Sequence, residues 1–384
     1  YGASTYDIGW VHPDVQAITI TGDDIWVTTD GGVNYSNDEL ATHSSRKHGI
    51  YNTTFWGFGQ GWNKDVQVGG RYHNGNTGFH QAYATGIGAG SHLRLGGAES
   101  PTGYVDPMND RLVHFSDITD VLLPETAGGA TVGMGNLGLY PNQSYSDSRS
   151  SELVRDPLYS TYMYCGNGSS FWKSTNGGAS FQSLHDFGSG RTVLEIEQAR
   201  DDRNRFYAVV LNGSQCKLYR STDGGLSWTL SPGAPTTWSK MEIALNPTDG
   251  LDIWIVRADD DDLRHSPNGG DSWANLTSGT GPLTGHDIRD IQCIGGAGVV
   301  VVTKTGGFHR ATGTNSWTEF GSGMPALWAP YEAFPFYRDA LLRVADKGKG
   351  VWEADFPFSV PPAAQAITKS PQIFCASDSV SFDC

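Results

Sequence analysis

The sequence predicts an all-β protein, a β-propeller of about seven blades. Its 384 residues include 50 Gly, 12 Trp, 16 Tyr and 16 Phe, and the aromatic residues lie in short β-branched runs between turns. Such runs without an amphipathic helical period are typical of strands joined by tight turns. One short segment also recurs along the chain, and its later copies are separated by the length of a four-stranded blade.

The recurring segment reads Ser/Thr-x-Asp/Asn-Gly-Gly-x-polar-aromatic. Its copies are TTDGGVNY (28–35), STNGGASF (174–181), STDGGLSW (221–228) and SPNGGDSW (266–273), with ATGTNSW (311–317) as a degenerate fifth. The Asp or Asn side chain caps a turn, and the Gly-Gly pair adopts positive φ. The segment resembles the Asp-box of sialidase-like propellers, which joins the third and fourth strands of a blade.

The spacing of the copies predicts the blades. The last three full copies start 47 and 45 residues apart, which is one blade each. We expect blade one at 13–58, a long blade two at 59–147, and blades three to six ending near residue 322. The seventh combines PYEAFPF, LLRVADKG and GVWEADF with the N-terminal TYDIGWV, which closes the ring and removes exposed edges. The propeller is thus predicted to span 1–358, and 359–384 to be a linker and the start of an appended β-module.

Charge and hydropathy exclude several classes of function. A formal net charge of −15 argues against general nucleic-acid binding, although a local basic cleft in an acidic protein still binds a polyanion. No apolar run reaches membrane-spanning length. Because the chain begins at Tyr1 without Met, we expect a secreted protein whose signal peptide has been removed. A closed ring needs no partner at its edges, so we expect a monomer.

The chemistry predicted below requires no cofactor, but two sets of residues are candidates for a structural metal ion. The acidic run RADDDDLRH (257–265) is the calcium candidate. The zinc candidates come from consecutive blades and lack short ligand spacing; they are Cys216, His265, His286 and Cys293. Cys165, Cys216 and Cys293 lie in strand-like runs and are expected to be buried thiols, and Cys375 and Cys384 form a candidate disulfide in the tail.

Basic residues are predicted to gather at one mouth of the propeller. The loops that lead into the first strands lie on the face opposite the repeated turns, near the axis. Arg191, Lys240, His286 and Arg289 fall in these loops, and Arg155 falls on the inner strand of blade three. Together they predict an anion-binding cleft.

The stretch GGRYHNGN (69–76) has the highest density of polar and ionisable side chains, at the end of a predicted strand. They are Arg71, Tyr72, His73, Asn74 and Asn76. His73 is expected at the same mouth, and His92, Tyr140 and Arg155 follow on two adjacent blades. This set suits β-elimination from a uronate. Arg155 would pair with the carboxylate, His73 would remove the C5 proton, Tyr140 would protonate O4 or act as the base, and His92 would hold the sugar.

VGGRYHNGN, with His92, Tyr140 and Arg155 after it, resembles the propeller-type ulvan lyases of polysaccharide lyase families twenty-four and twenty-five, the second more closely. The resemblance implies cleavage of ulvan between 3-sulfated rhamnose and glucuronic or iduronic acid by a secreted bacterial enzyme. It implies catalytic roles for His73, His92, Tyr140 and Arg155. The residues expected to bind the substrate are Arg71, Asn74, Asn76, Arg191, Lys240 and Arg289.

Three alternatives share the fold. A sialidase carries an arginine triad with an N-terminal member, and this chain has no Arg before Arg46. A glycoside hydrolase needs two carboxylic acids at the mouth, and the acidic run at 257–265 precedes a repeated turn on the other face. A non-catalytic glycan-binding propeller would not need the His, Tyr and Arg set.

Overall fold

The chain is all-β, as predicted. The computed structural model describes residues 14–46, 55–71, 75–83, 92–96, 103–107, 109–115, 119–126, 129–133, 151, 153–159, 161–277, 281–323 and 329–358. These residues form eight small antiparallel sheets and one 3-10 turn, Gln81–Tyr83. No helix in this part of the chain is long and apolar enough to cross a bilayer.

The first four sheets contain the strands up to residue 186. Sheet 1 comprises β1 (Val15–Thr21), β2 (Asp24–Thr29), β3 (Gly32–Ser36) and β4 (Ser44–Ser45). Sheet 2 comprises β5 (Phe55–Gln60), β6 (Val66–Arg71), β7 (Gly75–His80) and β8 (His92–Gly96). Sheet 3 comprises β9 (Tyr104–Val105), β10 (Leu112–Phe115), β11 (Thr119–Leu122) and β12 (Val132–Gly133). Sheet 4 comprises β13 (Val154–Arg155), β14 (Met163–Asn167), β15 (Ser170–Ser174) and β16 (Gln182–Asp186).

The remaining four sheets follow the same up-and-down order. Sheet 5 comprises β17 (Arg191–Gln198), β18 (Phe206–Asn212), β19 (Gln215–Ser221) and β20 (Thr229–Leu230). Sheet 6 comprises β21 (Glu242–Asn246), β22 (Asp249–Val256), β23 (Leu263–Ser266) and β24 (Ala274–Asn275). Sheet 7 comprises β25 (Ile288–Ile294), β26 (Gly298–Thr303), β27 (Gly306–Ala311) and β28 (Thr318–Phe320). Sheet 8 comprises β29 (Pro330–Phe336), β30 (Leu341–Asp346) and β31 (Gly350–Asp355).

Contacts connect sheets 2 to 8 in a closed circuit. The first strands of neighbouring sheets touch between β5 and β9, β17 and β21, β21 and β25, and β25 and β29, while β14 touches β17 and β29 returns to β5. Sheets 3 and 4 are joined by the Arg155–Asp106 ion pair. The first strands therefore lie innermost, around a common axis. Sheet 1 differs, because every residue of its first strand is exposed.

The core consists of β-branched and aromatic side chains between neighbouring sheets. Val66 and Val68 of sheet 2 pack with Val105 and Val113 of sheet 3, and all four are at most 1% exposed. Tyr207 and Val209 of sheet 5 likewise pack with Ile253 and Ile255 of sheet 6. Each such side chain contributes roughly 2 kcal/mol of apolar burial, so the sheets hold each other through their facing sides.

Three of the predicted repeats form one kind of turn between third and fourth strands, called here the box turn. In the turn at 174–180, Ser174 Oγ donates to Asn176 Oδ1 at 2.9 Å and accepts from Gly178 N at 2.9 Å. Asn176 Oδ1 also accepts from Ser180 N at 3.0 Å. The turns at 221–227 and 266–272 repeat these bonds. The degenerate repeat at 311–317 also lies between a third and a fourth strand.

The first predicted repeat, TTDGGVNY, is not a box turn, because it forms the hairpin between the second and third strands of sheet 1. The box turn of that sheet is 36–42, where Leu40 N donates to Ser36 Oγ and Thr42 N to Asp38 Oδ1. Glu39 and Leu40 stand there at φ 58° and 69°, in place of Gly-Gly. The sequence signal failed because glycine marks both kinds of turn.

The predicted limits of the first two blades are wrong. The region 59–147 contains most of sheet 2 and the whole of sheet 3, and β5 belongs to sheet 2 rather than to the first blade. The described residues thus form one sheet more than the seven predicted. The segment TYDIGWV and the tail 359–384 lie outside the described residues.

Candidate functional site

The axis has two chemically different ends. Each sheet is an antiparallel meander, so the box turns lie at the same edge as the carboxyl ends of the first strands. We call this edge the carboxyl end. The opposite edge, the amino end, holds the loops that lead into the first strands and the hairpins between second and third strands.

At the amino end, three basic side chains surround one carboxylate. Asp259, in the loop between β22 and β23, forms ion pairs with both Lys240 and Arg289. Its loop is fixed to the start of β25 by two 2.8 Å backbone hydrogen bonds, Asp259 N to Ile288 O and Ile288 N to Asp260 O. Lys347 lies in the β30–β31 hairpin, and the charges of Asp259, Lys240 and Arg289 act on it. Two cations thus pair with this carboxylate, and a third acts on it from the neighbouring hairpin.

The pKa shifts in the cluster agree with this arrangement. Burial lowers the pKa of Lys347, and the positive charges of Lys240 and Arg289 lower it further. For Asp259, partial burial raises the pKa, but the hydrogen bond from Lys240 and the charge of Arg289 outweigh it, so that the pKa is lowered. The cations therefore repel one another, and an added anion would relieve that repulsion.

Of the other predicted binding residues, Arg191 and Arg71 also lie at the amino end. Arg191 begins β17 and donates to the carbonyl of Phe187. Arg71 ends β6, where Nε lies 3.5 Å from Gly75 O, and its pKa is lowered by burial and by Arg94. Asn76 is fully buried, which suits a side chain that supports the hairpin rather than one that touches a ligand.

Beneath the cations, carboxyl groups of the first strands line the axis. Burial raises the pKa of Glu195, and the charge of Glu242 adds to the effect. Glu195 Oε2 accepts from Ile243 N of the next sheet at 3.2 Å. Asp290 Oδ2 accepts from Ala333 N in the same way at 2.6 Å, yet burial still raises the pKa of Asp290 to about 6. Burial likewise raises the pKa of Glu197 to about 7. Glu197 and Asp290 can therefore hold or release a proton near neutral pH.

Arg155 is not at the predicted mouth. It ends β13 at the carboxyl end, where Nη2 lies 2.8 Å from Asp106 Oδ2 and Nε donates to Tyr104 Oη at 3.0 Å. Its side chain is 12% exposed and that of Asp106 11%. The arrangement links sheet 4 to sheet 3, because a short strand end in each sheet supplies one partner.

His92 and Arg155 were expected on adjacent blades, and this is wrong. His92 lies in sheet 2 and Arg155 in sheet 4, with sheet 3 between them. His92 begins β8, the outermost strand of sheet 2, and its ring packs on Phe79 with centroids 5.2 Å apart. Burial lowers the pKa of His92, and the charge of Arg71 lowers it further. His73, Asn74 and Tyr140 lie outside the described residues, and their roles stay predictions.

No group of three or more His, Cys, Asp or Glu among the described residues is placed to hold a metal ion. The predicted calcium run is engaged in other bonds. Asp260 pairs with Arg257 at 2.8 Å, Asp262 with Arg264 at 2.9 Å, and Asp261 accepts from Gly285 N at 2.7 Å. Cys165, Cys216 and Cys293 are buried free thiols.

Sequence reasoning missed Lys347 and the axial carboxylates. It also placed the acidic run 257–265 on the face opposite the mouth, which is wrong, because Asp259 of that run lies in the β22–β23 hairpin at the amino end. Lys347 stood in the predicted strand segment LLRVADKG, and nothing in the sequence alone places a hairpin of the last sheet beside the loops of sheets 6 and 7. Glu195 and Glu197 carried a usable signal, since acidic residues at alternate positions of a strand share one face.

No protein-family model matches the chain. A xyloglucanase of Hypocrea jecorina (strain QM6a) is 22% identical over 272 residues, which covers 59% of this chain and 30% of that protein. The GH74 enzyme of Niastella koreensis superposes with a TM-score of 0.55 at 16% identity, over 88% of this chain and 58% of its own. The GH74 xyloglucanase of Xanthomonas campestris superposes with a TM-score of 0.49 at 12% identity, over 81% of this chain and 53% of its own.

The similarity to the Niastella enzyme shows the fold, and the chain is a β-propeller. The chain spans less than two thirds of the length of each of these proteins.

Proposed function

We propose that this propeller is a polysaccharide-cleaving enzyme that acts on an acidic glycan at the amino end of its axis. The observation that carries the proposal is the cluster of Lys240, Arg289 and Lys347 around Asp259. A neutral glycan has no need of such a cluster. In a protein of net charge −15, cations concentrated at one mouth select and orient an anionic chain.

We propose β-elimination as the reaction. A cation beside the uronate carboxylate stabilises the enediolate that forms when a base removes the C5 proton. The electron pair of the broken C5–H bond becomes the C4–C5 double bond, the C4–O4 bond breaks, and O4 leaves with a proton from an acid. Lys240, Arg289 and Lys347 would hold the carboxylate. His73 and Tyr140, named by the resemblance, would serve as base and acid.

The substrate we propose is ulvan. Its uronates supply the acidic C5–H, and its sulfated rhamnose supplies further anions for the same cations. The proposal rests on the ulvan lyase resemblance of VGGRYHNGN together with this charge arrangement. We leave Arg155 out of the proposed catalytic set, because its contacts with Asp106 and Tyr104 lie at the other end of the axis.

The test is ultraviolet absorbance during incubation with ulvan, because elimination creates a conjugated unsaturated uronate and hydrolysis does not. We expect absorbance to rise with ulvan and to stay flat with xyloglucan. The double variant Lys240→Gln/Arg289→Gln and the single variant Lys347→Gln should each lower kcat/KM at least tenfold. Lys304→Gln is the matched control at the same end, since Lys304 pairs with Asp287 and its charge affects Asp259 less than those of Lys240 and Arg289 do. A flat trace on every uronate polymer, or variants as active as Lys304→Gln, would refute the proposal.

A glycoside hydrolase is the second candidate. The observation in its favour is a set of two axial carboxyl groups of different pKa, about 7 for Glu197 and about 6 for Asp290. A group that keeps its proton near neutral pH suits a general acid. The name of the Hypocrea relative agrees with hydrolysis of a glycan. New reducing ends from xyloglucan without absorbance, lost in Glu197→Gln, would favour this candidate.

A further inference from the structure

An exposed tryptophan lies at the carboxyl end of the axis, away from the proposed catalytic cluster. Trp62 follows β5 in a turn closed by the hydrogen bond from Gly61 N to Val66 O at 2.9 Å. Its side chain is 39% exposed, although the turn that carries it is fixed. An indole so placed offers a rigid apolar face to the solvent.

A cation from sheet 5 contacts this ring. Arg200 follows β17 and is exposed, and its guanidinium carbon lies 5.1 Å from the centroid of Trp62. Trp62 belongs to sheet 2 and Arg200 to sheet 5, and sheets 3 and 4 lie between them along the circuit. The pair therefore bridges the carboxyl end of the axis.

The charge of Arg200 acts on the axial carboxyl group of Glu197 and on two tyrosines. The tyrosines are Tyr104 of sheet 3 and Tyr337, which follows β29 of sheet 8. Burial raises the pKa of Tyr104 to about 12 and also raises the pKa of Tyr337. Both phenols thus keep their protons and are hydrogen-bond donors at neutral pH.

We propose that Trp62 and Arg200 form a second, non-catalytic binding site for an acidic pyranose. The apolar C–H face of a pyranose stacks on an indole, and a guanidinium binds a carboxylate or sulfate through paired hydrogen bonds. An isolated exposed cation–π pair is worth only about 0.5–1 kcal/mol, which is too little to require an exposed Trp for stability. This site shares with the proposed function only the class of ligand. It is tested by binding, independently of whether the protein cleaves the glycan.

Binding is measured by tryptophan fluorescence and confirmed by calorimetry, with ulvan oligosaccharides as the probe. All substitutions are made in the Lys240→Gln/Arg289→Gln variant, so that binding at the amino end does not contribute to the measured affinity. We expect Trp62→Ala and Arg200→Gln to weaken binding about tenfold, equal to about 1.4 kcal/mol. The matched control is Trp26→Ala, because Trp26 is 38% exposed and lies in sheet 1. Desulfated ulvan and polygalacturonate distinguish a sulfate from a carboxylate as the group bound by Arg200.

Unchanged affinity in Trp62→Ala and Arg200→Gln, or an equal loss in Trp26→Ala, would overturn the site. Failure of the proposed function looks different, since it appears as absent cleavage by the wild-type protein. For a wild type that cleaves ulvan, we expect Trp62→Ala to raise KM for the polymer and to leave kcat unchanged.

Discussion

At the scale of single residues, Arg155 shows how contacts revise a role suggested by sequence. Its guanidinium is held by Asp106 at 2.8 Å and Tyr104 at 3.0 Å, with little exposure. Removing one partner of a buried ion pair leaves an uncompensated charge and costs about 3 kcal/mol or more. We predict that Arg155→Ala lowers the free energy of unfolding by about 3 kcal/mol, measured by urea denaturation, while kcat of the proposed cleavage changes little.

The double variant Arg155→Met/Asp106→Leu is the control for that prediction, because it removes both charges and should recover much of the lost stability. Normal stability in Arg155→Ala combined with a large loss of kcat would contradict the structural role and restore the catalytic one.

The residue scale is also where sequence reasoning was least complete. Loop position correctly placed Lys240, Arg191 and Arg289 at the amino end, because the direction of a meander follows from the order of turns. It did not find Lys347 and placed Asp259 on the opposite face, because the approach of these residues depends on how three sheets are arranged around the axis. It placed Arg155 at the wrong end, because the sequence does not show where along a short strand a residue falls.

At the scale of elements, the box turn of sheet 1 holds two non-glycine residues in a left-handed conformation. Glu39 and Leu40 have φ of 58° and 69°, where the other copies place glycine. A side chain in this region costs about 1 kcal/mol, and Leu40 is 43% exposed, so its removal loses little packing. We predict that Leu40→Gly raises the free energy of unfolding by about 1 kcal/mol.

Thermal and urea unfolding of Leu40→Gly check this expectation. The control is Gly225→Ala in sheet 5, where φ is 86° and an added Cβ would lie 2.1 Å from Phe171; it should be strongly destabilising. A less stable Leu40→Gly would mean that the leucine side chain contributes more than its backbone conformation costs.

Most elements were predictable because strands and turns are determined largely by residues close to one another in sequence. The repeats gave three box turns in the right place, since Ser, Asp or Asn, and Gly-Gly act through bonds within seven residues of one another. The division of 59–147 into sheets 2 and 3 was missed because no copy of the repeated segment lies between them. Packing between sheets 2 and 3 involves apolar residues distant in sequence, such as Val66 and Val105, which local patterns do not encode.

At the scale of the whole molecule, the axial carboxyl groups couple stability to pH. Burial raises the pKa of Glu197 from the ordinary 4.5 to about 7 and that of Asp290 from 3.8 to about 6. In the unfolded chain both groups ionise at their ordinary values. The folded state therefore binds more protons between about pH 4 and pH 7, and the stability that this provides is lost as the pH rises through that window.

We predict that thermal stability declines from pH 5 to pH 8, and that Glu197→Gln and Asp290→Asn flatten this decline. Each variant keeps the shape of a protonated carboxyl group but has no proton to lose. At pH 8 we expect Glu197→Gln to exceed the wild type by at least about 1 kcal/mol, the value of roughly one pKa unit, and to match it at pH 5. Calorimetry at the two pH values decides, with Lys304→Gln as a control for general charge effects. A wild type that is more stable at pH 8 than at pH 5 would show that repulsion among the axial carboxylates is relieved by the cations at the amino end. The axis would then act as one electrostatic unit rather than as a buried acidic channel beneath a separate basic mouth.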